Sequence, residues 1–413
     1  MPSLCLRSSA TLAFAVAIVP SVAAQGPLDA ESYVQAVLRS HPAARQSAAL
    51  DAAAAAERKA GRVFPDPVAG FNWDRARPID GLGGSETGWS LSQTIPWPAT
   101  FSAKVRAHAQ QAAVFGAESV STRWELEIEA RATFARLLHA RAAVEIAREA
   151  EADALALKGL TAKRAELGES REVDRIKTEV EWLREQRTLR SLEREAVAVE
   201  AILRNLAVEP LPRPLALTGV LPDPFPPVDA DDLRARLVRA NPAFKAAQAA
   251  AAREAALVSA ARRGRVPDLD VTWFRSKELD KTANGFQLGV RVPLWNANRG
   301  LIAGAEATAA LAAAGAQRAM VDLSNALERA RQELDVASAQ ADILTNQILP
   351  AAGRSLDLAR FSYQEGETSL LDLLDAQRTF RETQREAATS HLALALALGD
   401  VRRLVGPDFN PRR

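Results

Sequence analysis

The chain has 413 residues, with 52 Lys and Arg against 51 Asp and Glu, four histidines, two methionines and one cysteine, Cys5. The near-zero charge excludes the basic surface that nucleic-acid binding needs, and a lone cysteine excludes a disulfide framework or a thiolate metal centre. No nucleophile elbow, zincin pair or metal-ligand cluster is present, and Gly81-Leu82-Gly83-Gly84 lies between two strands rather than between strand and helix, so neither a cofactor nor an enzyme is expected.

Residues 1–24 read as a secretory signal peptide: Arg7 in the n-region, an apolar stretch from Leu12 to Val19, and Val22-Ala23-Ala24 before Gln25. The apolar run is far short of the roughly 20 residues that span a bilayer, so export is expected rather than a membrane anchor. Cys5 lacks the small-residue context of a lipidated cysteine, so no lipid anchor is expected, and losing Arg7 leaves 51 bases against 51 acids.

Residues 25–206 form a first unit, rich in Ala, Leu, Arg and Glu, the composition of long, closely packed helices. A helical run ends at Ser40, and His41 before Pro42 marks a new helix start. Strands are expected over about 68–74 and 87–95, where Ala69, Phe71 and Trp73, then Trp89, Leu91 and Ile95, alternate with polar or small residues. From Ala99 to Glu166 there is no proline and hardly a glycine. A helix of that length is on the order of 100 Å long. Leu126, Phe134, Leu137, Leu138, Val144, Leu155 and Leu160 recur along it at mixed spacings of three and four, which requires a coiled-coil-like partner. The partner is the return helix from Val173 to Leu206, after a reversal at Gly168.

Seven of the 22 prolines fall in the connector 207–228, whose Leu215-Ala216-Leu217 is a candidate short strand. Residues 229–399 then repeat the first unit at an offset close to 200, and 400–413 are read as a tail. Val238-Arg239-Ala240-Asn241-Pro242-Ala243 answers Leu38-Arg39-Ser40-His41-Pro42-Ala43, and Gly366 with Asp372 answers Gly168 with Asp174. Strands are expected over about 268–275 and 285–293, a long helix from Arg299 to Phe361 kinked or interrupted at Pro350, a turn at Gly366 and a return helix from Leu370 to Leu398.

Five of seven tryptophans (Trp73, Trp89, Trp97, Trp273, Trp295) lie on the strands or just past them, where an aromatic girdle would sit. A small soluble sheet packed on helices is the competing reading, but the helices already bury their own faces and the strands have the length of a tilted bilayer crossing. Four strands cannot close a barrel, and an open edge in lipid strands backbone groups at several kcal/mol each, so the protein must oligomerise. Two copies would give eight strands and a filled interior; three would give twelve and the start of a pore.

The signal peptide, the duplicated helix–strand–strand–hairpin units and the segment Tyr363-Gln-Glu-Gly366-Glu-Thr-Ser-Leu-Leu-Asp372-Leu-Leu-Asp375 together resemble the TolC-like outer-membrane factors. The resemblance implies a mainly α protein with a transmembrane β-barrel: a homotrimer whose four strands per protomer complete a twelve-stranded barrel in the outer-membrane lipid, with a helical tunnel crossing the periplasm. It implies the exit duct of a tripartite efflux or type I protein secretion machine, working with a periplasmic adaptor and an inner-membrane pump of RND or ABC type. Position by position, Asp372 and Asp375 match acidic rings that narrow the periplasmic entrance and bind cations, and Asp174 and Tyr363 match a hydrogen-bonded gate. The familiar gate arginine is replaced by Thr368 and its hydroxyl partner by Val173, so the closure is expected to be looser or held by Arg164 or Arg171. Leu167, Gly168, Glu169 and Ser170, with Gly366, Glu367, Thr368 and Ser369, resemble the tips that meet the adaptor. Arg291, on the polar side of a strand, is a candidate barrel-lumen residue. Leu91-Ser92-Gln93-Thr94-Ile95-Pro96 looks most like the heavy-metal efflux branch. A soluble periplasmic adaptor would have one hairpin beside a lipoyl-like domain, and a structural coiled coil would lack the strands; duplication and strand pairs argue against both.

Overall fold

The structure, a computed structural model, describes residues 27–76, 81, 83–168, 170–290, 298–406 and 409. The signal peptide, Glu169, Arg291 and Trp295 lie outside the described residues. The first half runs α1 (Ala30–Ser40), α2 (Pro42–Ala60), β1 (Val68–Ala76), β2 (Gly84–Ile95), α3 (Pro98–Glu166) and α4 (Glu172–Ala207). The second half repeats that order with α5 (Ala230–Ala240), α6 (Pro242–Arg263), β3 (Leu269–Lys277), β4 (Thr282–Val290), α7 (Arg299–Ile343), α8 (Leu349–Gln364) and α9 (Leu370–Val405). A five-residue π-turn, Leu344–Ile348, joins α7 to α8. No described helix is long and apolar enough to cross a membrane.

His41 and Asn241 are both N-caps followed by proline at the first helical position. His41 Nδ1 accepts the Ala43 N–H at 3.2 Å, whereas buried Asn241 accepts the Phe244 N–H at 2.8 Å and also donates Nδ2 to the Leu404 carbonyl at 2.9 Å. The asparagine thus caps α6 and ties it to α9. The 69-residue α3 is unbroken, at ~1.5 Å per residue about 100 Å long. Its counterpart is interrupted: the π-turn lies just ahead of Pro350, which has no N–H to give an α-helical ladder.

Two apolar cores sit where the short helices meet the long ones. Tyr33, Val34 and Val37 of α1 pack with Leu126, Phe134 and Leu137 of α3 and Leu203 of α4. Leu233 and Leu237 of α5 pack in the same way with Leu327 and Leu334 of α7 and Leu394 and Val401 of α9. Burying Val401 and Val405 explains why α9 continues past the expected end at Leu398 through residues 400–405. The proline-rich connector wraps this waist. Its expected short strand is a single parallel bridge, Leu217 to Leu28, and further on the Phe225 N–H and carbonyl both bond Ser338 Oγ, at 3.0 and 2.7 Å.

The four strands form one antiparallel sheet in the order β1-β2-β3-β4, the two halves meeting at β2 and β3. Directly opposed residues share a face. One face therefore carries Phe71, Trp73, Trp89, Leu91, Trp273, Phe286 and Leu288, all exposed. On the other, Thr94 Oγ1 donates to Asp270 Oδ1 at 2.6 Å, and Thr272 bonds Ser92 at 2.9 Å. Phe274 breaks that polar pattern by lying over Gly285, where no side chain obstructs its ring. The strands pair further toward the hairpin loops than the apolar alternation indicates, through Asp74 with Glu86 and Arg275 with Asn284, because the backbone ladder does not depend on side-chain polarity.

Asn241→Ala removes a helix cap and leaves the buried Leu404 carbonyl unpaired, so it is expected to cost about 2 kcal/mol. His41→Asn, which copies the second half into the first, is expected to leave stability unchanged or slightly raised. Thermal unfolding of the detergent-solubilised protein checks both.

Candidate functional site

The site is built at the ends of the two long hairpins, about 100 Å of helix away from the sheet. Each hairpin reverses at a glycine in the left-handed region, Gly168 with φ +76° and Gly366 with φ +79°. Nothing lies within 4 Å of where a side chain would start at either position, so glycine is required there by backbone conformation and not by space. The first tip presents Leu167, which is 73% exposed, with Gly168 and Ser170. The second presents Gly366, Glu367, Thr368 and Ser369, and is closed by the Glu367 N–H bonding the Ser362 carbonyl at 2.9 Å.

Ser369 starts α9 with a capping box: its hydroxyl accepts the Asp372 N–H, while the Asp372 carboxylate accepts the Ser369 N–H at 3.1 Å and the Ser369 hydroxyl at 2.7 Å. These bonds hold the Asp372 carboxyl below the usual carboxylate range, so it is charged at any periplasm-like pH. Asp375 is exposed one turn further on. Both aspartates line the groove between α8 and α9 with Ser362, Thr368 and Thr379.

Asp174, almost fully buried, is bonded by Arg171 Nε at 3.1 Å. The Tyr363 ring lies under the Arg164 guanidinium, 5.5 Å from its centroid. Within one chain, then, Asp174 and Tyr363 are each engaged by an arginine, and no bond joins them to each other among the described residues. Val173, which stands where the resemblance places a hydroxyl partner, is exposed.

Two features near the tips escape sequence reasoning. Thr161 of α3 and Thr178 of α4 face each other, fully buried, with their hydroxyls 2.7 Å apart. Higher up, a charged clasp joins the hairpins: Arg378 of α9 donates twice to buried Glu181 of α4, at 3.0 and 2.5 Å, and Arg381 and Arg385 reach Glu185 at 3.4 and 3.0 Å. The Arg378 guanidinium holds the Glu181 carboxyl below the usual glutamate range. The only sequence trace of the clasp is that the acids stand 13 and 17 residues past Gly168 and the arginines 12, 15 and 19 past Gly366, at matching heights above their turns. Among the described residues no three His, Cys, Asp or Glu side chains converge as a metal-ligand set.

Residues 233–407 match the family model described as outer membrane efflux protein. The cobalt-zinc-cadmium resistance protein CzcC of Cupriavidus metallidurans is 27% identical over 282 residues, 67% of each chain. Among solved structures, the MtrE outer membrane channel of Neisseria gonorrhoeae superposes with a TM-score of 0.75 at 17% identity, covering 91% of this chain and 89% of that one. CusC gives 0.71 at 18%, covering 91% and 92%. With its duplicated helical hairpins and its apolar-faced sheet, the chain has the fold of these outer membrane channels, and its second half, residues 233–407, carries the match to the outer membrane efflux protein model.

Proposed function

We propose that three copies of this chain form the exit duct of a tripartite efflux system, carrying metal cations from a periplasmic adaptor and inner-membrane pump to the cell exterior. The observation that carries the reading is the sheet: an apolar face meant for lipid, and outer strands β1 and β4 with no partner in their own chain among the described residues. Each unpaired backbone group in hydrocarbon costs several kcal/mol, so the β4 edge of one copy pairs with the β1 edge of the next. Closure at eight strands fills the interior with side chains, whereas closure at twelve leaves a passage.

At the other end, Asp372 and Asp375 from three copies put six carboxylates around one axis, a constriction that draws cations in and holds divalents longest. Asp174 and Tyr363 belong to the closure, with Arg171 and Arg164 of the same chain as their holders in place of the missing gate arginine. The exposed tips around Gly168 and Gly366 are the docking points for the adaptor. Metal cargo is supported by the relationship to the cobalt-zinc-cadmium resistance protein and by the acidic entrance.

Planar-bilayer recording is the direct test. Small cation-selective currents are expected, blocked by divalent cations, with the half-blocking concentration raised about tenfold in Asp372→Ala/Asp375→Ala, the scale of losing a close charge contact. A water-soluble monomer that never inserts would sink the duct; an unchanged block would remove these aspartates from the entrance.

The clasp makes a second prediction. Because the Glu181 carboxyl titrates lower in the folded protein than in the unfolded chain, its contribution is complete above about pH 4.5 and fades as pH falls through the lower folded value. Open probability is therefore expected to stay flat from about pH 7 to pH 5 and to rise only in stronger acid. Glu181→Gln is expected to produce the acid behaviour at neutral pH.

A further inference from the structure

We propose that the helix-side end of the sheet carries a cationic collar that binds the phosphate groups of anionic phospholipids in the periplasm-facing leaflet of the outer membrane. The orientation of the sheet in that membrane is taken from the reading above.

The duplication writes the same turn twice. At the end of α2 the chain runs Lys59-Ala60-Gly61-Arg62-Val63-Phe64-Pro65-Asp66, and at the end of α6 Arg262-Arg263-Gly264-Arg265-Val266-Pro267-Asp268. In both, the helix stops at a glycine, an exposed arginine follows, and the next residues are apolar and also exposed: Val63 at 58%, Phe64 at 56%, Val266 at 42%. Apolar side chains beside cations gain nothing by facing water. They gain at a membrane interface, where the apolar part enters the acyl boundary and the cation reaches the phosphates.

The surroundings of the turns fit that depth. Phe64 stacks on Phe101 at 4.8 Å, and half-exposed Trp97 lies one turn above it, directly after β2. Thr100 Oγ1 donates to the Arg263 carbonyl at 3.0 Å and Arg263 Nη1 to the Ala99 carbonyl at 3.3 Å, which levels this arginine with the first turn of α3. Lys104 lies on the next turn, and Arg299 is the first residue of α7. The rim so assembled holds Arg62, Lys104, Arg262, Arg263, Arg265 and Arg299. Only Asp66 and Asp268 oppose them in the same stretches, and the Asp268 carboxylate is taken by the Trp97 N–H at 2.8 Å; Arg262 is shared with Glu306 of α7. At the loop end of the sheet the charges are even among the described residues, with Asp74, Glu86, Glu278 and Asp280 against Arg75, Arg275, Lys277 and Lys281.

The basic end is therefore continuous with the lipid-facing apolar surface and rimmed by aromatic rings, with more bases than acids in its turns, the arrangement that attracts anionic headgroups over a Debye length. Repeated in three copies, the two turns would place six such anchors around the barrel.

The test compares the full-length protein in lipid nanodiscs of phosphatidylcholine alone with nanodiscs containing about 30% phosphatidylglycerol, reading the unfolding temperature at low salt. Phosphatidylglycerol is expected to raise the wild-type Tm by about 5 °C, and about 1 M salt to abolish the rise. R62Q/K104Q/R263Q/R299Q is expected to lose it at low salt as well. R62Q/R299Q, which removes only side chains without a hydrogen bond or ion pair among the described residues, is expected to halve it, and so covers a misfolded quadruple variant. K277Q/K281Q at the loop end is expected to keep the full shift. A shift retained by both collar variants, or abolished by the loop-end variant, would overturn the collar while leaving insertion and conductance untouched. Failure to insert into nanodiscs of either composition would instead count against the outer-membrane duct.

Discussion

Hydrocarbon offers no partner to a backbone N–H or carbonyl, and the rest of this molecule is arranged around that constraint. A sheet of four strands cannot satisfy its own edges, yet its exposed face is built for lipid, with Phe71, Trp89, Trp273, Phe286 and Leu288 standing outward. The edges must be completed by identical chains, because nothing else supplies an antiparallel strand in the same register at both sides. Once the barrel is closed by copies, the helices under it are forced into a ring as well. An axial passage through the helical region then follows from closing the sheet.

Duplication supplies the means and its imperfections supply the mechanism. The two halves are near-copies at the waist, where α1 and α5 occupy equivalent apolar pockets and the capping residues His41 and Asn241 stand in the same place. They diverge toward the tips. The first long helix is unbroken from Pro98 to Glu166, whereas the second carries a π-turn and Pro350. A break of this kind is where a helix bends at least cost, and it lies between the waist and the tip of the second hairpin. Stiffness in one hairpin and a bend in the other is what a duct needs if its wall is to hold while its entrance moves.

How much of this was legible in the sequence depends on the range of the interaction. Features set within a turn of helix or a pair of strands were readable: the His41-Pro42 and Asn241-Pro242 starts, the glycine reversals, and the alternation that gives each strand its apolar face. The overrun of the strands through Asp74–Glu86 was not, because apolar period reports the face that meets lipid and not the backbone ladder. Nor was the clasp between Glu181 and Arg378, which are separated by almost half the chain and carry the same residue types that cover any solvated helix. Asp372 and Asp375 were singled out by resemblance, whereas what the structure shows of Asp372 is a local task, the capping bonds with Ser369 that the spacing Ser-x-x-Asp expresses.

The clasp also explains why charge, and not more leucine, holds the lower hairpins together. Near the turns a small apolar cluster of Leu157, Leu356, Leu370, Leu373 and Leu374 already joins α3 to α8 and α9. Extending it along Glu181 and Glu185 would stabilise a single arrangement by burying area in proportion to contact, and separation would expose all of it to water. Paired ions behave differently: buried together they contribute little net stability, but their bonds are directional and fix one register, and each partner is well solvated if the helices part. Arg381, 4% exposed, keeps one guanidinium nitrogen without a partner among the described residues, so even the most buried part of the clasp is incompletely satisfied. Helices fastened in this way are held in a defined position at small cost of release.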